Sequence, residues 1–172
     1  MKFGVYVGRF NPIHKGHQAV IDKMLAEHSE KASLVIIGSS NAPVSLRHFF
    51  SYRERSDFIK KLYPNLKLIG LPDFGDDHEW LNALDDTLRA VDFNPTDVEF
   101  FGGCVEDIRF FADDGRKYKV LNRFDGTTPK ISATEIRDAL IFDRPLAGYL
   151  DEKIKDDIKE LFKEKWERFK RM

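Results

Sequence analysis

The chain has 172 residues, 42% of them hydrophobic and 33% charged, which suits one globular domain with a single core spanning 1–172. Its formal net charge is −1, so no overall field draws it to nucleic acid or to an anionic membrane, and we expect neither as a partner. Cys104 is the only cysteine, which excludes an internal disulfide and a cysteine-based zinc site. The lone thiol, the lack of a leader pattern and the lack of an apolar run of membrane-spanning length all favour the cytoplasm.

Five short runs rich in β-branched and aromatic residues predict strands. They lie at Phe3–Val7, Leu34–Gly38, Leu66–Leu71, Val98–Phe101 and Lys117–Leu121. Apolar residues at helical spacing predict helices at His17–His28, Tyr52–Tyr63, Glu79–Val91 and, more briefly, Thr134–Ile141. This alternation predicts an α/β fold with a parallel sheet of about five strands and helices on both faces. Ligands bind such sheets beyond the carboxyl ends of the strands.

The last segment, about 151–170, has the pattern of a charged helix with one apolar stripe. We expect the stripe to dock on the domain and the charged face to be solvated. The alternative is a partner-binding or oligomerising helix anchored by Trp166, which would make a homo-oligomer.

The most specific motif directly follows the first predicted strand and reads Gly8-Arg9-Phe10-Asn11-Pro12-Ile13-His14-Lys15-Gly16-His17. A helix N-terminus carries partial positive charge and free N–H groups, so phosphate binds there readily. His14 and His17 are three residues apart in the first turn and project to nearly the same side. The alternative is that one histidine caps the helix and the other packs against the loop.

This motif resembles the His-x-Gly-His signature of the nucleotidyltransferase superfamily. With Gly-Arg-Phe-x-Pro in front, it is most similar to the nicotinamide mononucleotide (NMN) adenylyltransferases. The resemblance implies a Rossmann-like nucleotidyltransferase fold in which His17 stabilises charge at the α-phosphate of ATP and His14 faces the outer phosphates. It also implies that Arg9 faces phosphates, although a surface ion pair would explain an arginine there. The other ATP contacts that it implies within the motif are Gly8, Phe10, Asn11 and Gly16.

A second motif, Ile131-Ser132-Ala133-Thr134-Glu135-Ile136-Arg137, follows Pro129 and opens the short helix. Ser132 and Glu135 have the spacing of a capping box, which alone would explain both residues. The segment also resembles the second superfamily signature, Ile-Ser-x-Thr-x-x-Arg, which closes over the triphosphate from the opposite side. The resemblance implies that Ser132 and Thr134 bind ATP and that Arg137 clamps the leaving pyrophosphate through its fork of donors.

Two further segments, 37–41 and 50–55, are similar to those of NMN adenylyltransferases and imply an acceptor contact for Ser39. Arg47, just upstream of the second segment, is a candidate contact for the acceptor's phosphate. A capping box formed by Ser51 and Glu54 explains part of the second segment equally well. The chain departs from the family where Asn11 replaces a glutamine and Phe49 replaces a proline.

Trp80 lies where the third strand leads into a helix, on the same rim as both signatures. A flat indole face suits a cationic pyridinium ring, and the nearby Asp76 and Asp77 would favour its charge. In the similar enzymes a tryptophan here stacks on nicotinamide, as in the adenylyltransferase half of bifunctional enzymes with a Nudix domain. The alternative is an ordinary core tryptophan.

The turn after the fourth strand resembles the family's adenosine-binding turn and implies ATP contacts for Gly102, Gly103 and Asp107. Taken together, the resemblance implies transfer of AMP from ATP to NMN, giving NAD and pyrophosphate. It implies Mg²⁺ held mainly by the ATP phosphates, with no metal site of the protein's own. The alternatives are another adenylyl- or cytidylyltransferase, acting on phosphopantetheine, FMN or an alcohol phosphate, and a non-catalytic nucleotide-sensing module. The other transferases more often have Gly-Thr-Phe-Asp before the histidine motif.

Overall fold

The structure is a computed structural model that describes residues 1–121, 131–146 and 148–171, so Pro129 lies outside the described residues. Five strands pair in one fully parallel sheet in the order β3-β2-β1-β4-β5. The strands are β1 (Phe3–Gly8), β2 (Ser33–Ile37), β3 (Lys67–Gly70), β4 (Val98–Gly102) and β5 (Lys117–Val120). Each lies within one residue of its predicted ends.

Six α-helices accompany the sheet, and short 3₁₀ turns precede β2 and β4. The helices are α1 (Lys15–Glu27), α2 (Tyr52–Leu62), α3 (Asp77–Ala90), α4 (Val105–Asp113), α5 (Ala133–Ile141) and α6 (Glu152–Phe169). The helices with predicted bounds begin and end within two residues of them. No helix among the described residues is long and apolar enough to cross a membrane.

The sheet separates two apolar clusters because successive side chains of a strand point to opposite faces. On one face, Tyr6 and Val35 join buried residues of α1, α2, α5 and α6. On the other face, Val5 and Leu34 join buried residues of α3 and α4. The predicted α/β architecture with helices on both faces is therefore confirmed.

Helix α6 docks on the domain through its apolar stripe, as predicted, with Ile154, Ile158 and Phe162 buried. Phe49, the departure from the family's proline, packs against the rings of Phe162 at 4.6 Å and Trp166 at 6.4 Å. The unusual phenylalanine therefore ties the loop before α2 to the C-terminal helix.

The strand order places a crevice at the carboxyl end of β1. The chain passes from β1 to β2 on one side and later places β4 on the other side. At such a switch point the connections leave in opposite directions and open a ligand-binding crevice. The first motif begins there, on Gly8, the last residue of β1.

Candidate functional site

The turn from β1 to α1 is held by close backbone packing. The Gly38 N–H donates to the Gly8 carbonyl at 2.8 Å, and Phe10 takes a left-handed conformation with φ of 51°. A Cβ on Gly8 would lie 2.9 Å from the Phe10 ring, which is too close for any side chain. Glycine at this position therefore lets the ring of Phe10 lie against the end of β1.

The two histidines form a reciprocal cap on α1. His14 Nδ1 accepts from the N–H of Gly16 at 3.0 Å and of His17 at 3.4 Å, while His17 Nδ1 accepts from the His14 N–H at 3.2 Å. Their rings stack at 3.7 Å. A neutral imidazole whose Nδ1 accepts carries its proton on Nε2. The Nε2–H of each ring is therefore the group with which it could donate to a phosphate.

One cavity of about 420 Å³ gathers the two sequence motifs and the loop before α2. Its lining residues are Arg9, Phe10, Asn11, His17, Arg47, Ala133, Thr134 and Arg137. His14 is 2% exposed and lies behind this lining. Of the described residues, three arginines and a histidine line the cavity and no carboxylate does, which suits a polyphosphate.

The cations of this cavity destabilise one another. The pKa of Arg9 is lowered by burial and by the charge of Arg47, with Asp73 opposing the shift. Burial also lowers the pKa of Arg137; the Asp138 charge opposes this shift, and the charges of Arg47 and Arg9 add to it. An anion bound in the cavity would relieve this repulsion. The positive electrostatic potential of the arginines therefore favours a ligand that carries several negative charges.

Arg137 ties α5 to the first motif. Its Nη1 donates to the Asn11 carbonyl at 2.8 Å, and its Nη2 donates to Thr134 Oγ1 at 3.3 Å. Ser132 caps α5, since its Oγ accepts from the Glu135 N–H at 3.1 Å. The two motifs, which are far apart in the sequence, thus meet through a direct hydrogen bond.

The side chain of Asn11 holds the loop before α2. Its Oδ1 accepts from the Phe50 N–H at 2.9 Å, and its Nδ2 donates to the Phe50 carbonyl at 3.3 Å. The residue is 2% exposed. These bonds use the amide that the sequence analysis assigned to ATP, and they give Asn11 a bridging role between two walls of the cavity.

A second cavity of about 240 Å³ is lined by Asp73, Phe74, Asp77, Trp80 and Phe110. The Trp80 indole is partly buried and meets the Phe110 ring edge-on at 5.6 Å. Trp80 is therefore neither a fully buried core residue nor a free stacking platform. Its indole packs against Phe110 and also lines the cavity.

Asp73 connects the second cavity with the first. Ser39, an expected acceptor contact, donates through Oγ to Asp73 Oδ1 at 2.9 Å, and Ser39 is itself buried. Burial and the charges of Arg9 and Arg47 lower the pKa of His48, and the Asp73 charge partly opposes this shift as it does for Arg9, which places the carboxylate close to the cationic cavity. The two cavities therefore adjoin at the carboxyl ends of β1, β2 and β3.

The predicted adenosine turn lies at the end of β4, outside the lining of both cavities. The Gly103 N–H donates to Asp107 Oδ2 at 2.9 Å. A Cβ on Gly102 would lie 2.7 Å from the Ile108 side chain, so glycine is required by packing. The turn thus has a structural explanation independent of any ligand.

Sequence reasoning assigned no role to Arg55, which ends the family-like segment 50–55, and none to His48 or Phe110. Arg55 lies on the apolar stripe of α2, where an arginine among Phe58 and Ile59 was a visible signal of a special role. Phe110 lines the second cavity, and His48 lies within the electrostatic reach of Arg9 and Asp73, through tertiary proximity that no local pattern encodes. Among the described residues, no group of three or more His, Cys, Asp or Glu could hold a metal ion.

The match to a known protein family covers the segments that form both cavities. The sequence pattern of the cytidylyltransferase-like family matches residues 5–139, which is most of the chain. The chain belongs to the cytidylyltransferase-like family. Its predicted membership of the nucleotidyltransferase superfamily is therefore confirmed.

Curated relatives of this cytidylyltransferase-like chain carry two different names. Nicotinamide-nucleotide adenylyltransferases of Pyrococcus furiosus and Thermococcus sibiricus are 28% and 29% identical, over 94% and 92% of this chain and 85% and 83% of theirs. A phosphopantetheine adenylyltransferase of Fusobacterium nucleatum is 28% identical over 95% of this chain and 98% of its own.

Solved structures of a bifunctional NMN adenylyltransferase/ADP ribose pyrophosphatase from Francisella tularensis share the fold. One, 21% identical, has a TM-score of 0.73 over 87% of this chain and 44% of that one. Another, complexed with AMP and a manganese ion, has a TM-score of 0.66 over 90% and 46%. The chain thus spans less than half of these longer proteins, and the predicted Rossmann-like nucleotidyltransferase fold is confirmed.

Proposed function

We propose that this chain transfers AMP from ATP to nicotinamide mononucleotide, forming NAD and releasing pyrophosphate. The observation that carries the proposal is the pair of adjoining cavities, one cationic and one formed by an indole, two phenyl rings and two carboxylates. The first suits a triphosphate, and the second suits an aromatic cation. The names of the archaeal relatives support the same acceptor.

The reaction requires no nucleophile from the protein. A phosphate oxygen of the acceptor forms a bond to the α-phosphorus of ATP as the bond to the bridging oxygen of pyrophosphate breaks. Catalysis then depends on positioning and on stabilising negative charge. We assign the α-phosphate to His17 and the leaving pyrophosphate to Arg137. Arg137 donates a hydrogen bond to Thr134 in the first turn of α5.

The remaining phosphate contacts follow from the cavity lining for Arg9 and Arg47. For His14 and Ser132, which are not among the lining residues, they follow from the family resemblance. We assign the outer phosphates to Arg9, His14 and Ser132, and the acceptor's phosphate to Arg47. The turn at 102–107 is assigned to the adenosine end. Each assignment extends the family resemblance to residues that lie on the same edge of the sheet.

The acceptor ring is assigned to the cavity of Trp80. A pyridinium ring carries a positive charge, which the Asp73 and Asp77 carboxylates attract, while the indole offers a face for stacking. Among the described residues, the side chains lining this cavity include two carboxylates and no cation, which disfavours a ring bearing a carboxylate. We therefore expect a preference for the amide, NMN, over nicotinic acid mononucleotide.

We propose that ATP is used as its Mg²⁺ complex, with the ion held by phosphates and water. Within the described part of the chain, the lining of the cationic cavity offers no carboxylate to a metal, which supports this assignment. We further propose that residues 1–172 fold as one domain and act in the cytoplasm. The single cysteine and the shared core of sheet and helices support this proposal.

Phosphopantetheine is the second candidate acceptor because the Fusobacterium nucleatum relative matches over almost its whole length. The test is pyrophosphate release from MgATP with NMN, nicotinic acid mononucleotide or phosphopantetheine. We expect release with NMN together with enzymatically detectable NAD. Release with phosphopantetheine alone would replace the proposed acceptor. ATP binding without any turnover would identify a nucleotide-sensing module.

A further inference from the structure

Arg55 is a fully buried cation whose partners are all backbone carbonyls. It lies on α2 and is 1% exposed. Its Nη1 donates to the carbonyls of Arg9 at 2.9 Å and Gly38 at 2.8 Å, its Nη2 to Ser39 at 3.1 Å, and its Nε to Ser51 at 3.3 Å. No carboxylate of the described residues forms a salt bridge with it. A buried charge with this many donors is retained only where its hydrogen bonds are satisfied.

Two of these carbonyls belong to strained turns. Phe10, which follows the Arg9 carbonyl, has φ of 51°, and Ser39 has φ of 50°. Neither is glycine, and left-handed backbone is unfavourable for other residues, so it persists only where the surroundings enforce it. The guanidinium of Arg55 binds both turns at once and thereby holds them at a fixed separation.

Each turn carries one half of the candidate site. Arg9 and Phe10 line the cationic cavity. Ser39 donates to Asp73, which lines the cavity of Trp80. A change in the position of either turn would therefore move the ATP side relative to the acceptor side.

We propose that Arg55 is a positioning residue that locks the turns at Phe10 and Ser39 together and so aligns ATP with its acceptor. The acceptor half of this statement rests on the proposed function, whereas the effect on ATP binding does not. A lysine keeps the charge, but its single ammonium cannot reach carbonyls in three separate segments.

Lys165 provides a matched control. It is a buried cation that pairs with Glu54, the neighbour of Arg55 on α2, and so fixes the same helix to α6. Lys165→Met removes a buried ion pair of α2 without touching the carbonyls of Arg9 or Ser39. If a loss of ATP or NMN binding came only from looser packing of α2, it would appear both in Lys165→Met and in a substitution of Arg55.

The experiment compares Arg55→Lys, Arg55→Ala and Lys165→Met by melting temperature, by ATP affinity from calorimetry and by steady-state kinetics with NMN. We expect Arg55→Lys to weaken ATP binding and to raise the KM for NMN, each by about tenfold. Lys165→Met should lower the melting temperature and leave both constants within about twofold of wild type. Guanidinium ion at low millimolar concentration, against matched sodium chloride, should restore ATP binding to Arg55→Ala alone.

Wild-type ATP affinity and KM in Arg55→Lys would overturn the proposal, whatever its melting temperature. Equal losses in Arg55→Lys and Lys165→Met would also overturn it, because a general loosening of α2 would then suffice. Absence of NAD formation by the wild-type protein would instead refute the proposed function, and ATP affinity would still test Arg55.

Discussion

Trp80→Ala separates a stacking tryptophan from a packing one, and the structure gives the size of each effect. The indole meets the rings of Phe110 at 5.6 Å and Phe111 at 6.0 Å, and it is only partly buried. A fully buried tryptophan would cost about 3–5 kcal/mol on truncation. Because this one keeps an exposed side, we expect about 1–2 kcal/mol, equivalent to a drop of roughly 2–8 °C in melting temperature.

The effect on substrate binding should be selective. Loss of stacking on a pyridinium ring is worth on the order of 1–2 kcal/mol, or roughly a tenfold rise in the KM for NMN. Trp80 does not line the cationic cavity, so the KM for ATP should change by less than about twofold. The assay is coupled detection of NAD with each substrate varied at saturating levels of the other.

Phe111→Leu is the control for Trp80→Ala. Phe111 is buried, contacts the indole and does not line the second cavity, so its truncation destabilises the same region. We expect this variant to lose stability with both KM values near wild type, and Trp80→Phe to retain most of the NMN affinity. Equal changes in the two KM values of Trp80→Ala, or an unchanged KM for NMN, would refute the stacking role.

Three further substitutions test the cationic cavity and the docking of α6. His17→Ala should reduce kcat by about 10²–10³ through loss of a preorganised donor, measured by pyrophosphate release; near-normal turnover would remove His17 from the mechanism. Arg137→Lys should weaken ATP binding and turnover because an ammonium cannot reproduce the fork; normal steady-state kinetics would make Arg137 a purely structural link. Burial raises the pKa of Glu54, but hydrogen bonds from Lys165 and from the Ser51 N–H outweigh burial and lower it overall. The stability that Glu54 contributes is thus present above its unfolded pKa of about 4.3 and lost as pH falls through the lower folded value. Glu54→Gln should lower the melting temperature at pH 7 and flatten its decline below about pH 4.5; a parallel decline in both proteins would contradict this.

Local patterns predicted the elements of this fold because each element carries its own periodicity. The β1 run and the α2 stripe are readable from neighbouring residues alone, and their predicted ends lie within one residue of those observed. The convergence of the two motifs could also be expected, since both resemble signatures that act on one triphosphate. The hydrogen bond from Arg137 to the Asn11 carbonyl supplies the physical contact behind that expectation.

Contacts between distant segments could not be predicted in this way. Asn11 bonds to Phe50, and Arg55 bonds to Arg9, across 39 and 46 residues of sequence. Nothing near Asn11 shows that its amide will be used by a loop rather than by a nucleotide. These positions depend on how the turns at the ends of β1 and β2 approach each other, which only the assembled sheet determines.

The histidines show why a structural role and a chemical role need not compete. From the sequence, capping of α1 and binding of phosphate are alternative roles for His14 and His17. In the structure both cap the helix, and both do so through Nδ1. An imidazole has two nitrogens, and using one as an acceptor fixes the proton on the second. The cap thereby turns each ring into a donor of fixed orientation, which is the form that stabilises a phosphate oxyanion without any reorganisation.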